Sequence, residues 1–409
     1  MTHKMEHRGR RILISGIRPR AVSAALAFAA LLVSVVVATP SAAAQTYKVL
    51  YNFAGGTDGA YPYAALLLDS AGNLEGTTYL GGAFGSGTVF KVDTTGTETV
   101  LYSFQGGTDG ANPEASVIAD ATGNLYGTTS AGGASDKGTV FKLDPTGTET
   151  VLHTFTFPPD GEDPQSGLLL DAQGNLYGTT LTGGSAGFGT VFWLAPNGTE
   201  KILHAFTDVL DAGTPHFAGL IQDTRGNFYG TTQYGGCRLE GEICGTVFKL
   251  NTFHKENVLH RFSGASDGHF PFASLLMDSA GNFYGTTELG GTHCKGTVFK
   301  LSASGKETIL YNFTGGTDGG LPVSSLVMDA AGNLYGTTYA GGTSNLGTIF
   351  ELSATGTETV LHSFNGNDGA QPLAGVTRDA AGNLYGPTSL GGSSTTCSGG
   401  CGVVFELTP

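Results

Sequence analysis

Three histidines, His216, His269 and His293, and three glutamates, Glu240, Glu242 and Glu288, crowd into residues 216–293 of a chain that is otherwise poor in charge. Imidazole titrates near neutrality, and a carboxyl group can give or take a proton at a reacting centre. These six are therefore the candidates for acid–base chemistry, with a glycan as the substrate class in a hydrolase or lyase reading. A second group, Tyr61, Tyr63 and Tyr79, carries rings able to stack on sugar faces. With His216, Tyr234 and Arg238 they form the candidate ligand-binding set. As ordinary solvated loop residues, all of these would need no ligand.

Other motifs carry less chemistry. Gly132-Gly133 opens a strand pattern and not a helix, so it cradles no phosphate. No Gly-x-Ser-x-Gly motif leads into a helix. Asp-Gly pairs recur at Asp58, Asp109, Asp160, Asp267, Asp318 and Asp368, with a looser match at Asp211, but they lack the alternating oxygen ligands of a calcium loop. His153, His204, His260 and His362 take the position held elsewhere by Tyr51, Tyr102 and Tyr311, which reads as a packed amphipathic ring. The expectation is no metal and no cofactor.

The element that positions these residues is a repeat. Asp-x-x-Gly-Asn-(Leu/Phe)-Tyr-Gly-Thr-Thr begins at Asp69, Asp120, Asp171, Asp223, Asp278, Asp329 and Asp379, with Glu75 replacing Tyr in the first copy and Pro387 replacing Thr in the last. The spacings are 51, 51, 52, 55, 51 and 50 residues. Sixty-six glycines exclude a helical bundle, and they do not follow the three-residue period of collagen. A hydrophobic content of 40% at low charge excludes disorder.

Each copy reads as four strands. In the second copy strand a spans 114–120, strand b 124–130, strand c 138–143 and strand d 149–155, with turn chemistry at Asp120-Ala-Thr-Gly123 and Asp144-Pro-Thr-Gly147. Four strands in about fifty residues match a propeller blade. An isolated d strand at 47–53 and a final c strand at 402–407 complete each other. The fold class is therefore all-β, a single seven-bladed β-propeller over residues 45–409, its ring closed by the N-terminal strand.

These motifs also carry a resemblance. Gly-Thr-Val-Phe-Lys-Leu, Gly-Thr-Glu-Thr-Val-Leu and Gly-Asn-Leu-Tyr-Gly-Thr-Thr resemble the bacterial GloVer (Gloeo-Verruco) tandem repeat of secreted proteins, across residues 46–407. The resemblance implies export, with a C-terminal sorting anchor in some members, and no established activity. Here Thr408-Pro409 follows the last strand directly, so soluble release is expected over anchoring.

Residues 1–44 read as a secretory signal peptide. Lys4, Arg8, Arg10, Arg11, Arg18 and Arg20 precede an apolar run over 21–38 and the small residues Ser41 to Ala44, after which cleavage is expected. Its removal takes six basic residues and one acidic residue from a chain of net charge −14, leaving 14 basic and 33 acidic residues, a net −19. That sign disfavours nucleic acid and anionic membrane as partners. The mature protein is expected outside the cytoplasm as a monomer, with an extracellular ligand, a carbohydrate by its chemistry.

The five cysteines suit that compartment. Cys237 with Cys244 and Cys397 with Cys401 are local pairs in b-to-c loops and are expected to form two staples, leaving Cys294 over.

In a propeller the d-to-a and b-to-c loops share one face. Residues that follow the loop proline, Tyr63, Glu114, Gln165, His216, Phe272, Val323 and Leu373, differ from copy to copy. So do those after Thr-Thr: Tyr79, Ser130, Leu181, Gln233, Glu288, Tyr339 and Ser389. A fixed frame with a varied rim suits recognition, so a binding or scaffold module is the preferred function and the glycan-active enzyme the alternative.

Overall fold

The turn chemistry of the repeat explains itself in the computed structural model, which describes residues 45–207, 212–236, 244–264 and 266–408. Asp120 Oδ1 accepts hydrogen bonds from the backbone N–H of Thr122 (2.8 Å) and Asn124 (3.0 Å), while Asn124 Nδ2 and the Tyr126 hydroxyl both donate to Asp120 Oδ2. One carboxylate thus ties the Asp, Asn and Tyr of the motif into a closed a-to-b hairpin. Burial works against this charge, but the hydrogen bonds from Asn124 and Thr122 outweigh it and hold the carboxyl well below its ordinary range.

Those hairpins build seven four-stranded antiparallel sheets among the described residues, each ordered a-b-c-d. In blade two the strands are Ile118–Ala119, Leu125–Thr129, Thr139–Leu143 and Glu149–Thr154. Strand a is shorter than the 114–120 expected from sequence. The segment after each loop proline leaves its own sheet and is held by the neighbouring blade: Thr77 Oγ1 donates to the Ala115 carbonyl (3.0 Å), and Thr337 Oγ1 to that of Ala374 (2.8 Å). The second threonine of the motif stays inside its blade, as with Thr129 against Thr139 at 2.8 Å. Where Pro387 replaces the first threonine, the Thr377 hydroxyl donates to the Leu66 carbonyl instead.

The ring closes as its two ends suggest. Thr46–Asn52 pairs antiparallel with Val403–Thr408, from Thr46 opposite Thr408 to Asn52 opposite Val403 with a register shift between Val49 and Tyr51, and completes blade seven. Between blades, the phenylalanine ending the d strand meets the c-strand phenylalanine of the next blade, nearly edge-on in Phe104 on Phe141 at 5.1 Å and Phe53 on Phe90 at 5.0 Å and tilted in Phe364 on Phe405 at 5.7 Å. These rings are fully buried. Among the described residues, no helix is long and apolar enough to cross a membrane.

Outside this core, most described blade junctions repeat a second arrangement. A d-strand Tyr or His faces the Asp of the following loop, and the next blade presents a glutamate. At the junction of blades six and seven Tyr47 takes the glutamate's place. The Tyr51, Tyr102 and Tyr311 hydroxyls donate to Asp58, Asp109 and Asp318 at 2.9, 2.9 and 3.1 Å. Burial, reinforced by the charge of the same aspartate, pushes Glu98, Glu149 and Glu358 each up to about 7 from an ordinary 4.5.

The folded protein therefore holds protons that the unfolded chain has released. This stabilisation is complete below about pH 4.5 and is lost as the pH rises through 7. Half-buried histidines such as His260 and His362, whose pKa burial lowers from 6.5, act in the opposite sense, chiefly below 6.5. Between pH 6.5 and 8 the glutamates dominate. The melting temperature of chelator-treated protein is expected to fall across that interval, and the triple variant Glu98→Gln, Glu149→Gln, Glu358→Gln to show a flatter profile and a higher value at pH 8. A triple variant with the wild-type slope would remove the assignment.

Candidate channel-mouth site

Every loop proline is preceded by a residue with positive φ: Tyr61, Asn112, Asp163, Thr214, Phe270, Leu321 and Gln371, all between 51° and 60°. In this conformation the backbone bridges two blades. Asn112 N–H donates to the Ser86 carbonyl of the preceding blade, and its own carbonyl accepts from Ser130 N–H. The chain after the proline is thereby turned into the centre of the ring. Bridges such as Ala111 to Ala131 and Ala60 to Leu80 place the d-to-a and b-to-c loops on one face.

The inward residues enclose a cavity of about 410 Å³ on the ring axis. Tyr63, Glu114, Gln165, Phe217, Phe272, Val323 and Leu373 contribute one position from each blade, and Glu288 and Tyr339 join them. In blade four the wall residue is Phe217 and not His216. Counting from the proline selects His216, but this blade carries one extra residue between Pro215 and Leu220, absorbed by a positive φ of 51° at Phe217.

On the side of blades one to three the wall joins stacked rings to carboxyl and amide groups, while Phe217, Phe272, Glu288 and Tyr339 line the side of blades four to six. The Tyr63 and Tyr79 rings stack at 5.2 Å and 26°, and Tyr61 lies 6.3 Å from Tyr63 at a tilt. Glu114 accepts a hydrogen bond from Ser130 Oγ at 2.9 Å, and Gln165 Nε2 donates to Asp163 Oδ2 at 3.3 Å. Burial pushes Glu114 up to about 7, against the opposing Ser130 hydrogen bond and with help from the Asp163 charge. Burial raises Asp163 as well. Tyr63 is pushed up to about 12 by burial and by its neighbours Tyr79, Glu114, Tyr61 and Tyr339. Two carboxyl groups that resist ionisation thus stand beside a pair of stacked rings.

The structure distributes the sequence-selected residues unevenly. Tyr61, Tyr63 and Tyr79 come together at the mouth. Glu288 reaches the cavity wall, where burial raises its pKa. His216 lies behind the wall against Phe217 (4.2 Å) and Phe272 (4.9 Å), its Nδ1 unpartnered and its pKa pushed by burial to about 4. His269 packs on Phe270 at 4.8 Å and Tyr234 on the same ring at 5.5 Å, with Tyr234 exposed. His293 is exposed. Arg238, Glu240 and Glu242 lie outside the described residues, as does the signal segment 1–44.

The cysteine pairing holds where it is described. Cys397 and Cys401 form a disulfide with Cα atoms 5.1 Å apart, and Cys294 is a free, exposed thiol. Cys244 is disulfide-bonded, while its expected partner Cys237 lies outside the described residues. Asp163 and Phe217 were not selected from sequence, and Tyr339 was named only among the varied rim positions after Thr-Thr. Aligning the blades on the apolar residue three places further in, Leu66, Val117, Leu168, Leu220, Leu275, Leu326 and Val376, would have found Phe217.

Residues 34–244 and 240–409 match the Gloeobacter/Verrucomicrobia repeat. The chain belongs to that repeat family. Comparison with curated proteins finds no match. Solved structures similar to this Gloeobacter/Verrucomicrobia repeat protein share its fold at low identity. One is the extracellular domain of a one-component system from B. thetaiotaomicron, 13% identical, with a TM-score of 0.55 over 88% of this chain and 39% of that one. Another, from Bacteroides uniformis, is described as a 6-phosphogluconolactonase and is 16% identical, with a TM-score of 0.50 over 82% of this chain and 98% of that one. The periplasmic gluconolactonase of Pseudomonas aeruginosa aligns at 14% identity and a TM-score of 0.49, over 86% and 98% of the two chains.

Proposed function

We propose that this protein is an exported binding module whose channel mouth takes a carbohydrate. The observation that carries the reading is the stacked Tyr63–Tyr79 pair beside Glu114, at the rim of a cavity of about 410 Å³. A sugar offers an apolar C–H face and a ring of hydroxyls. Aromatic faces cover the first, while Glu114, Asp163 and Gln165 can accept from or donate to the second. Export is supported by the leader pattern of residues 1–44 and by the Cys397–Cys401 disulfide, which suits an oxidising compartment.

A second reading rests on Glu114 itself. A carboxyl group near pKa 7 that feels the charge of a second one, Asp163, can exchange a proton with a bound ligand at neutral pH. Glycan hydrolysis or lysis would then occur at the mouth, with Glu114 as the acid or base. The fold that this chain shares with the protein described as a 6-phosphogluconolactonase can accommodate such chemistry and does not select it.

A glycan array on the mature protein, followed by product analysis on each glycan bound, separates the two. Binding without products, weakened about tenfold by Tyr63→Ala, is the expected result, the order of effect that a lost stacking face produces. Products that vanish in Glu114→Gln while binding persists would move the assignment to the enzyme. Silence on every glycan would remove both.

A further inference from the structure

The blade junctions differ in a way that has nothing to do with the channel. At the Tyr junctions the hydroxyl reaches the loop aspartate and donates to it at 2.9 to 3.1 Å. At the junction of blades six and seven Tyr47 stands where other blades have glutamate, and there His362 Nε2 reaches Asp368 at 3.1 Å. Three further junctions combine the histidine with the glutamate. At one, His204 Nε2 lies 3.4 Å from Glu256 Oε2, and its loop aspartate Asp211 is outside the described residues. At the other two the contact to the loop aspartate opens. His153 Nε2 stands 3.5 Å from Asp160 Oδ2, and His260 Nε2 stands 3.9 Å from Asp267 Oδ2 and 3.6 Å from Glu307 Oε2.

In each of these two sets one nitrogen and two carboxylate oxygens lie within 4.8 Å of one another. His153 Nε2, Glu200 Oε1, His260 Nε2 and Glu307 Oε1 are buried without a hydrogen-bond partner. A buried imidazole nitrogen that makes no hydrogen bond, whichever tautomer it takes, is costly as it stands beside two carboxylates. A cation at the centre would satisfy all three groups. We propose that the His153–Asp160–Glu200 and His260–Asp267–Glu307 junctions each bind one divalent transition-metal ion of the zinc class.

The donor set selects the metal. Imidazole nitrogen with carboxylate oxygen suits zinc and its neighbours, whereas calcium and magnesium take oxygen alone. Three protein ligands leave a fourth tetrahedral position for water. Each ion would join two blades, His and Asp from one and Glu from the next, and so would clamp the ring from outside. Binding to the folded ring alone must also raise its stability.

The molecule supplies its own control substitution, because tyrosine occupies the histidine position at three junctions of the same geometry. Chelator-stripped protein in a Cys294→Ser background, which removes the exposed thiol, is titrated with zinc chloride by calorimetry. His153→Tyr and His260→Tyr are each expected to lose one equivalent, and the double variant two, together with the zinc-dependent rise in melting temperature contributed by those junctions. Calcium chloride is expected to leave the wild-type melting temperature unchanged. Retention of the full zinc stoichiometry by the folded double variant would overturn the proposal, and so would wild-type protein that takes up no zinc.

Discussion

A chain that lacks residues 46–53 is expected to aggregate instead of remaining a soluble monomer. The segment provides the fourth strand of blade seven, paired along the whole of Val403–Thr408. Its side chains also fill two junctions. Tyr47 stacks on His362 at 3.8 Å and lies 5.6 Å from Phe405, while Phe53 is buried against Phe90. Deletion exposes a strand edge and apolar surface together, the combination that templates association between chains.

The effect belongs to the strand and not to its place in the sequence. Residues 46–53 transplanted behind Thr408, through a turn copied from Asp144-Pro-Thr-Gly147, would rebuild the c-to-d hairpin that the other six blades use. The permuted chain is expected to elute as a monomer by size-exclusion chromatography, with a melting temperature close to that of the parent. A deletion variant that stays monomeric and melts unchanged would refute the closure.

The architecture was legible because its signals repeat. Seven copies of one hairpin, with an unpaired strand at each end, leave a closed ring as the arrangement that satisfies every edge. The inner segments were legible only in part. Residues such as 114–117 read as strand from their apolar alternation, yet their backbone turns toward the axis and is held by the neighbouring blade's threonine, a partner some forty residues away. Local pattern cannot report such a bond.

At the site, the same limits decide what was visible. The convergence of Tyr63 with Tyr79, and of Glu114 with Ser130, could be anticipated because both loop sets share a face. The exchange of His216 for Phe217 could not be seen by counting from Pro215, since a one-residue insertion moves every inward position after it. The His-Asp-Glu junctions were hidden for another reason. His153 and Glu200 are far apart in sequence, in strands that meet only when two blades pack, and each alone looks like half of an amphipathic strand.

The invariance of the motif's Gly between Tyr and Thr has a steric cause, and it predicts the second large effect. Gly127 lies directly across from Phe141 in the b-to-c ladder. A Cβ at Gly127 would meet Phe141 Cζ at 2.6 Å and Cε1 at 2.9 Å, with Val117 Cγ1 at 3.3 Å on the other side. The Phe141 ring cannot move away, because it is fully buried and Phe104 of the preceding blade closes on it at 5.1 Å. Gly127→Ala is therefore expected to cost about 1–3 kcal/mol through overpacking. Removal of the ring in Phe141→Ala should cost about 3–5 kcal/mol, since it leaves a cavity at the blade junction. The two changes should also be coupled. In a Phe141→Leu background the smaller side chain leaves room for the new methyl group, so Gly127→Ala should cost less there than in the wild type, by at least about 0.5 kcal/mol in urea unfolding. Additive costs in that cycle would mean that the glycine is kept for its backbone and not for the ring it faces.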